Sequence, residues 1–438
     1  MLMHELIQIF LRQSGISTAF TNPFEFGIRL VFMVWGAVLL MLGLRRIEPL
    51  LLIPIGIAMM LANAPGLHLV SYACSIHDPQ YLDQIEGLTQ LANIVYVNGT
   101  AVRICVPYST AVLAWIHHLF VRTEIGPILI FFGIGALSDF RPMFSYPITS
   151  IIGAAAQLGI VIVSLIAFAS GFFTLPEALA IGVVGGADGP TTIYTATNIA
   201  PQLVGPLTIA VYSYIALIPV LQPPIIRALI PKKYRAIKMP PPREVGSREI
   251  VLFWLLLICV VSILVPNALP LIVALAAGNI IRECGISEVV SRYGKTVPEA
   301  LLDIATIMTM LGVGSTLSYD FLSQYVVGGA EAYLEFLIKA FLCLGLGLLA
   351  FLISTIGGIL LAWLLYFVTK GKVNPVIGCA GVSAVPIAAR VAQREASRVD
   401  PSVYIVYHAL GPNVAGIIGT AIVAGFYIGF VKTWFSYP

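Results

Sequence analysis

The chain has 438 residues, 59% of them hydrophobic and 10% Asp, Glu, Lys or Arg, against about 25% charged residues in ordinary soluble domains. With a formal charge of +3 and a mean hydropathy of +0.95, it is neither a soluble enzyme nor a nucleic-acid binder. Composition leaves a polytopic membrane protein. Met1 to Arg12 lacks the basic start, apolar core and small-residue cleavage site of a secretory signal. The first apolar block, near Gly27 to Leu44, is expected to insert uncleaved. Ala340 to Thr369 is thirty residues without a charge, and a spanning helix needs roughly 20. The blocks do not alternate as barrel strands do, so the pattern predicts an all-α bundle of about ten to twelve membrane segments.

Asn98-Gly-Thr matches a glycosylation triplet, a pattern that arises easily by chance. The six cysteines (Cys74, Cys105, Cys259, Cys284, Cys343 and Cys379) include no CxxC pair, which argues against metal or disulfide chemistry. His117-His118 beside Trp115 reads as an interfacial pair. Next comes Gly133-Ile-Gly135-Ala-Leu-Ser138-Asp139-Phe140. From Pro142 to Ile226 the only charges are Glu177 and Asp188. Glu177 follows Leu175-Pro176, a helix-start position. Asp188 lies in Gly185-Gly-Ala-Asp188-Gly189-Pro190-Thr191-Thr192, a break inside apolar sequence.

Arg227 to Arg248 carries seven basic residues and the Met239–Pro242 proline run. The positive-inside rule puts it in the cytoplasm, and the prolines make it a stiff linker. It suggests two halves. Residues 1–226 hold a first repeat broken at 185–192, and 249–438 a second broken at 374–386 and 411–416. Gly312-Val-Gly314-Ser-Thr-Leu-Ser318-Tyr-Asp320-Phe321 resembles the first Gly-x-Gly motif, with the aspartates 181 residues apart. Asp188 and Asn374 are 186 apart. Paired interrupted helices in two halves point to a transporter's binding site, and such repeats are commonly inverted.

An acid within the membrane is a functional candidate by default. Thr191 and Thr192 supply hydroxyls beside Asp188, and the break supplies carbonyls. The plainer alternative is a structural carboxylate satisfied by those same groups. The second break adds Asn374 and Ser383. The third, Gly411-Pro412-Asn413, lies where no Asp, Glu, Lys or Arg occurs from Val403 to Val431. One carboxylate with neutral oxygens suits a monovalent cation, sodium or a proton, with potassium still open, because a divalent ion would want further acids. Arg390 offers a fork for a carboxylate or serves as a positive-inside anchor. Tyr212 and Tyr214 precede Pro219 well inside an apolar block.

Together these motifs resemble the β subunit of the biotin-dependent sodium-translocating decarboxylases, which act on oxaloacetate, methylmalonyl-CoA, glutaconyl-CoA or malonate. The resemblance runs from Glu48-Pro-Leu-Leu-Leu-Ile-Pro through Gly135 to Phe140, Gly153-Ala-Ala-Ala-Gln157 and the Asp188 segment. It continues through Gly278-Asn279-Ile-Ile-Arg282-Glu283-Cys-Gly285 and Asn374 to Arg390, and ends at Ala409-Leu-Gly-Pro-Asn413-Val-Ala-Gly416. The stretch from about His68 to Val121, with Cys74 and His77, and the length of the basic loop depart from the oxaloacetate member. Which acid or acyl-CoA is used therefore stays open.

The resemblance implies an elevator-like bundle of inverted repeats. It also implies a translocase that decarboxylates carboxybiotin while exporting sodium across the bacterial cytoplasmic membrane. The biotin belongs to a partner carrier protein or domain, loaded by a carboxyltransferase subunit. A small membrane subunit and self-association are implied as well. Sodium-associated positions fall on Asp188, Asn374, Ser383 and Asn413. The catalytic set becomes Asp188, Tyr214, Ser383 and Arg390, with Arg390 holding the carboxylate and Tyr214, a residue type of pKa about 10, passing a proton. The rival reading is a stand-alone sodium-coupled organic-anion symporter, which would have the same breaks and the same aspartate. A passive channel fits a single buried acid less well.

Overall fold

The computed structural model describes residues 22–45, 48–65, 70, 72–73, 94–97, 100–103, 106–107, 111–326 and 329–435. The Met1–Arg12 stretch, Cys74, His77, Asn98 and Cys105 lie outside the described residues. The chain forms two compact units, one of Met1–Thr123 with Ile307–Tyr333, the other of Glu124–Thr306 with Leu334–Pro438. Each unit draws on both sides of the basic linker.

In the first unit, helix Pro23–Leu44 opens on Asn22, whose side chain accepts from the Glu25 amide at 3.2 Å. Proline is tolerated in the first turn because that N–H has no helical partner. A turn through Glu48 leads into Pro49–Ala62. Two short antiparallel strand pairs follow, Tyr72–Ala73 with Val106–Pro107 and Ile94–Val97 with Thr100–Arg103. His117 is buried, edge-on to Phe321 at 5.1 Å, so only His118, 6.2 Å from the Trp115 ring, fits the interfacial expectation. Asn63, just after Pro49–Ala62, donates to the carbonyls of Met59 and Leu317, each at 2.8 Å, and accepts from the Tyr319 amide at 3.1 Å. Arg29 binds Asp320 and, at 2.8 Å, Glu25.

The second unit repeats that construction. Helices Ile125–Leu137 and Leu269–Arg282 meet through Gly135 and Gly278, where a methyl group would strike the carbonyls of Leu275 and Phe132. Small residues let membrane helices approach this closely. Asn279 donates to the carbonyls of Gly135 and Ser138, both at 3.1 Å, and accepts from Trp254 Nε1 at 2.9 Å. Arg141 binds Glu283 at 2.6 and 2.9 Å and Asp139 at 3.3 Å.

Among the described residues, seven helices are long and apolar enough to cross a membrane, or eight if Val112–Arg122 and Ile125–Leu137 form one span. Pro49–Ala62, Leu175–Gly186 and Pro266–Arg282 are apolar but shorter. Each of these three ends short of the roughly 20 residues a crossing needs, so the described residues hold fewer spans than the ten to twelve expected. Leu252, Leu256, Ile263 and Leu264 of Ser247–Leu264 are exposed, as a lipid-facing helix requires. The third expected break, 411–416, is not a break. Helix Val406–Phe435 runs through Pro412, because a membrane helix tolerates a proline when its neighbours re-satisfy the freed groups.

Candidate functional site

The first break begins where helix Leu175–Val183 tightens into the turn Val184–Gly186, and Ala187 takes a left-handed conformation at φ 53°. Glu177 is the helix-start residue that its sequence position suggests. Its carboxylate accepts from the Thr174 amide at 2.9 Å while Thr174 caps in return, a capping box. Asp188 then caps helix Gly189–Ile199. Its Oδ2 accepts from the Thr191 hydroxyl at 2.8 Å and its Oδ1 from the Thr191 amide at 3.4 Å. The Thr192 hydroxyl donates instead to the Asp188 carbonyl at 2.8 Å. Asp188 is 5% exposed and forms no ion pair among the described residues.

In the second break Asn374 starts a tight turn, Pro375–Gly381, and an extended Val382 leads to helix Ile387–Ser397. Ile152, Phe351, Ile377 and Val382 pack around it. The two breaks touch: the Ser383 amide donates to the Gly186 carbonyl at 2.8 Å. Ser383 Oγ lies 2.8 Å from Thr420 Oγ1, which donates to Gln157 Oε1 at 3.0 Å. A methyl group on Gly186 would collide with Thr420. Asn413 donates to the Val382 carbonyl, and its own Oδ1 is buried without a donor among the described residues. A buried acceptor left open this way is uncommon and suits a cation.

Asp188, Ser383 and Asn413 are therefore gathered at the joined breaks. Asn374 is engaged elsewhere. Its amide donates to the carbonyls of Arg235 at 3.1 Å and Ile237 at 2.8 Å, and its oxygen accepts from the Val376 amide at 3.0 Å. The Tyr214 hydroxyl donates to the Leu344 carbonyl. It is Tyr212 whose ring abuts the first break, filling the space a side chain at Gly189 would need. Arg390 is exposed, and its guanidinium has no hydrogen-bond or ion-pair partner among the described residues. Cys379 is buried, its sulfur 4.0 Å from the Ala388 carbonyl.

Sequence reasoning assigned no role to Gln157 or Thr420. The available signal was a polar side chain inside an otherwise apolar helix, but hydroxyls and amides are common there and few reach a site. A single carboxylate, three hydroxyls, an open amide oxygen and broken-helix carbonyls form a hard-oxygen environment carrying one negative charge, matched to a monovalent cation.

The chain matches the family described as Na+-transporting oxaloacetate decarboxylase beta subunit over residues 28–431. It is 40% identical to oxaloacetate decarboxylase beta chain 2 of Salmonella typhi, over 88% of this chain and 91% of that one. It is also 40% identical to methylmalonyl-CoA decarboxylase subunit beta of Propionigenium modestum, over 90% of this chain and 93% of the relative. Glutaconyl-CoA decarboxylase subunit beta of Acidaminococcus fermentans is 38% identical over 92% of each.

Proposed function

The chain belongs to the family of sodium-transporting oxaloacetate decarboxylase beta subunits, and on that premise we propose that it decarboxylates carboxybiotin and couples this step to sodium export across the bacterial cytoplasmic membrane. Sodium is the cargo, held by Asp188, Ser383 and Asn413, with the lone pair that the Val376 amide leaves on the Asn374 oxygen as a further donor. The carboxybiotin arrives on a partner carrier protein or domain loaded by a carboxyltransferase subunit, within a complex that also contains a small membrane subunit and further copies of this chain. Cleavage of its N–C bond releases CO2 and leaves the ureido nitrogen to take a proton. Arg390 holds the carboxylate and Tyr214 passes the proton. Exporting one charge against 100 mV takes about 2.3 kcal/mol, so cleavage and ion movement must be mechanically linked.

One observation carries this reading. The two breaks are joined between Gly186 and Ser383, next to a lone acid and an amide oxygen without a donor. The repeated construction, Asn63 on Leu317 and Asn279 on Gly135 and Ser138, supports two inverted repeats and an elevator-like movement. The test compares the purified chain with the assembled complex in sealed vesicles. The complex is expected to move sodium during decarboxylation, to be blocked by avidin and to be retained on it, while the chain alone is inert. Sodium-coupled organic-anion uptake by the chain alone would instead establish the symporter reading.

A further inference from the structure

Glu395 lies on Ile387–Ser397, the helix that carries Arg390, and is fully buried. Three arginines converge on it. Arg227 binds both carboxylate oxygens at 2.8 Å, Arg398 binds Oε1 at 2.6 Å, and Arg235 Nη1 stands 3.5 Å from Oε2. Arg227 and Arg398 reach in from the surface, with about half of each side chain exposed. Arg235 is buried, and its Nε has no partner among the described residues. A carboxylate this deep loses its hydration, and an apolar side chain would fill the same space at lower cost. Packing alone does not account for it.

The contacts of its partners show what the carboxylate holds in place. The Arg235 carbonyl is one of the two acceptors for the Asn374 amide, and the Ile237 carbonyl, two residues on, is the other. Those two bonds fix which way the Asn374 oxygen points. Arg227 ends helix Val204–Leu229, and five residues earlier Gln222 donates to the Cys379 carbonyl at 2.9 Å, inside the second break. One carboxylate thus anchors both supports of that break to the helix bearing Arg390. Shifting residues 235–237 would turn the Asn374 oxygen, and shifting Glu395 would move 235–237.

We infer that Glu395 is a positioning residue, coupling the ion-side oxygen of Asn374 to the carboxylate-side helix of Arg390 through Arg235. The inference rests on the roles proposed above for Asn374 and Arg390. It predicts a particular split. Glu395→Gln keeps the shape and removes the charge, and Arg235→Gln cuts the same path while Glu395 keeps two arginines, so the second variant answers if the first does not assemble.

In the assembled complex reconstituted in vesicles, each variant should raise the sodium concentration for half-maximal decarboxylation roughly tenfold, within the usual range of coupling between sites. The double variant should be no worse than the weaker single, because both act on one path. A merely structural role would lower the yield of folded complex without moving that half-saturation. The inference is overturned if Glu395→Gln and Arg235→Gln keep the parental half-saturation, or if their effects add. Should they keep it while Asp188→Asn loses its sodium response, the site reading stands without this one. If Asp188→Asn keeps its sodium response, both fall.

Discussion

Asp188→Asn is the substitution that most directly separates ion binding from structure. Asparagine caps a helix as well as aspartate does, and its oxygen can still accept from the Thr191 amide now 3.4 Å from Oδ1. Its NH2 group cannot accept the 2.8 Å bond from the Thr191 hydroxyl, but that hydroxyl can rotate and accept in its turn. The fold should therefore lose little. The ion loses far more. At a contact distance of roughly 2.5 Å and an effective dielectric constant of about 20, two unit charges attract by about 7 kcal/mol before dehydration is subtracted. If about 2 kcal/mol of that survives as net binding, its loss raises the half-saturating sodium concentration roughly thirtyfold. The hydroxyls of Ser383 and Thr420 and the oxygen of Asn413 remain, but all are neutral. The wild-type carboxylate must be ionised to bind sodium, so protons compete with it. Half-saturation should rise as pH falls, by at most about tenfold per unit, and the variant should show no such dependence. The assay is sodium-dependent decarboxylation by the complex from about pH 4 to about pH 9, a range that starts at the ordinary aspartate pKa of about 4 and so includes the pH at which protons compete. A variant whose sodium response stays within about threefold of wild type, less than 1 kcal/mol, would make Asp188 a structural cap and place the ion elsewhere.

Arg390→Ala should cut turnover while leaving sodium half-saturation within about twofold, and Arg390→Lys should rescue poorly because a point charge cannot replace a bidentate fork. Full activity in the alanine variant returns Arg390 to a topological anchor. Thr420→Val keeps the shape but strips the hydroxyl between Ser383 and Gln157; leaving those buried groups unpaired costs about 1–3 kcal/mol, so sodium half-saturation should rise and the unfolding temperature fall. Thr420→Ser should restore both, and equal behaviour of the two variants would show that the hydroxyl is idle. If the basic linker faces the cytoplasm, as the positive-inside rule predicts, a cysteine replacing exposed Glu244 in a cysteine-free chain should resist impermeant thiol reagents in intact cells, and labelling from outside would reverse that orientation.

The first two breaks were legible because glycine and proline announce them and an acid or amide stands beside each. The third was not. Pro412 has the same local signature, but whether it stops a membrane helix depends on what the neighbouring helices offer, and the chain around Pro412 does not encode that. Glu395 was equally silent. Two of its three arginines lie 168 and 160 residues away in sequence, and a glutamate beside arginines on a short amphipathic helix reads as a solvated surface. Tyr214 and Tyr212 stood out as a pair, but only geometry sends one to the Leu344 carbonyl and the other to Gly189. The linker read as a stiff tether. Only 237–246 is without helix, since Lys232–Arg235 forms a short one inside the linker, and the Asn374 bonds with the 2.8 Å contact of His408 Nε2 with the Pro240 carbonyl tie it down.

Hydrogen-bond accounting distinguishes residues that sequence treats alike. Of the four buried asparagines among the described residues, three sit at helix ends or breaks and Asn413 lies inside helix Val406–Phe435, and each has two donors and an acceptor oxygen to place. Asn63 and Asn279 place all three, each pinning a Gly-x-Gly motif from the other side of the linker. They are framework, and they explain why the compact units and the sequence halves divide the chain differently. Asn374 also places all three, which leaves an ion only the second lone pair of its oxygen and makes its aim depend on residues 235–237. Asn413 alone of the four keeps its oxygen without a donor, on a helix that also carries Thr420 to the joined breaks. An open acceptor in a buried setting loses several kcal/mol of solvation unless something replaces the water. On the proposed function a sodium ion would replace it, which would make Asn413 the neutral ligand on which cargo affinity should depend most, and Asn374 the one through which affinity could be changed from a distance.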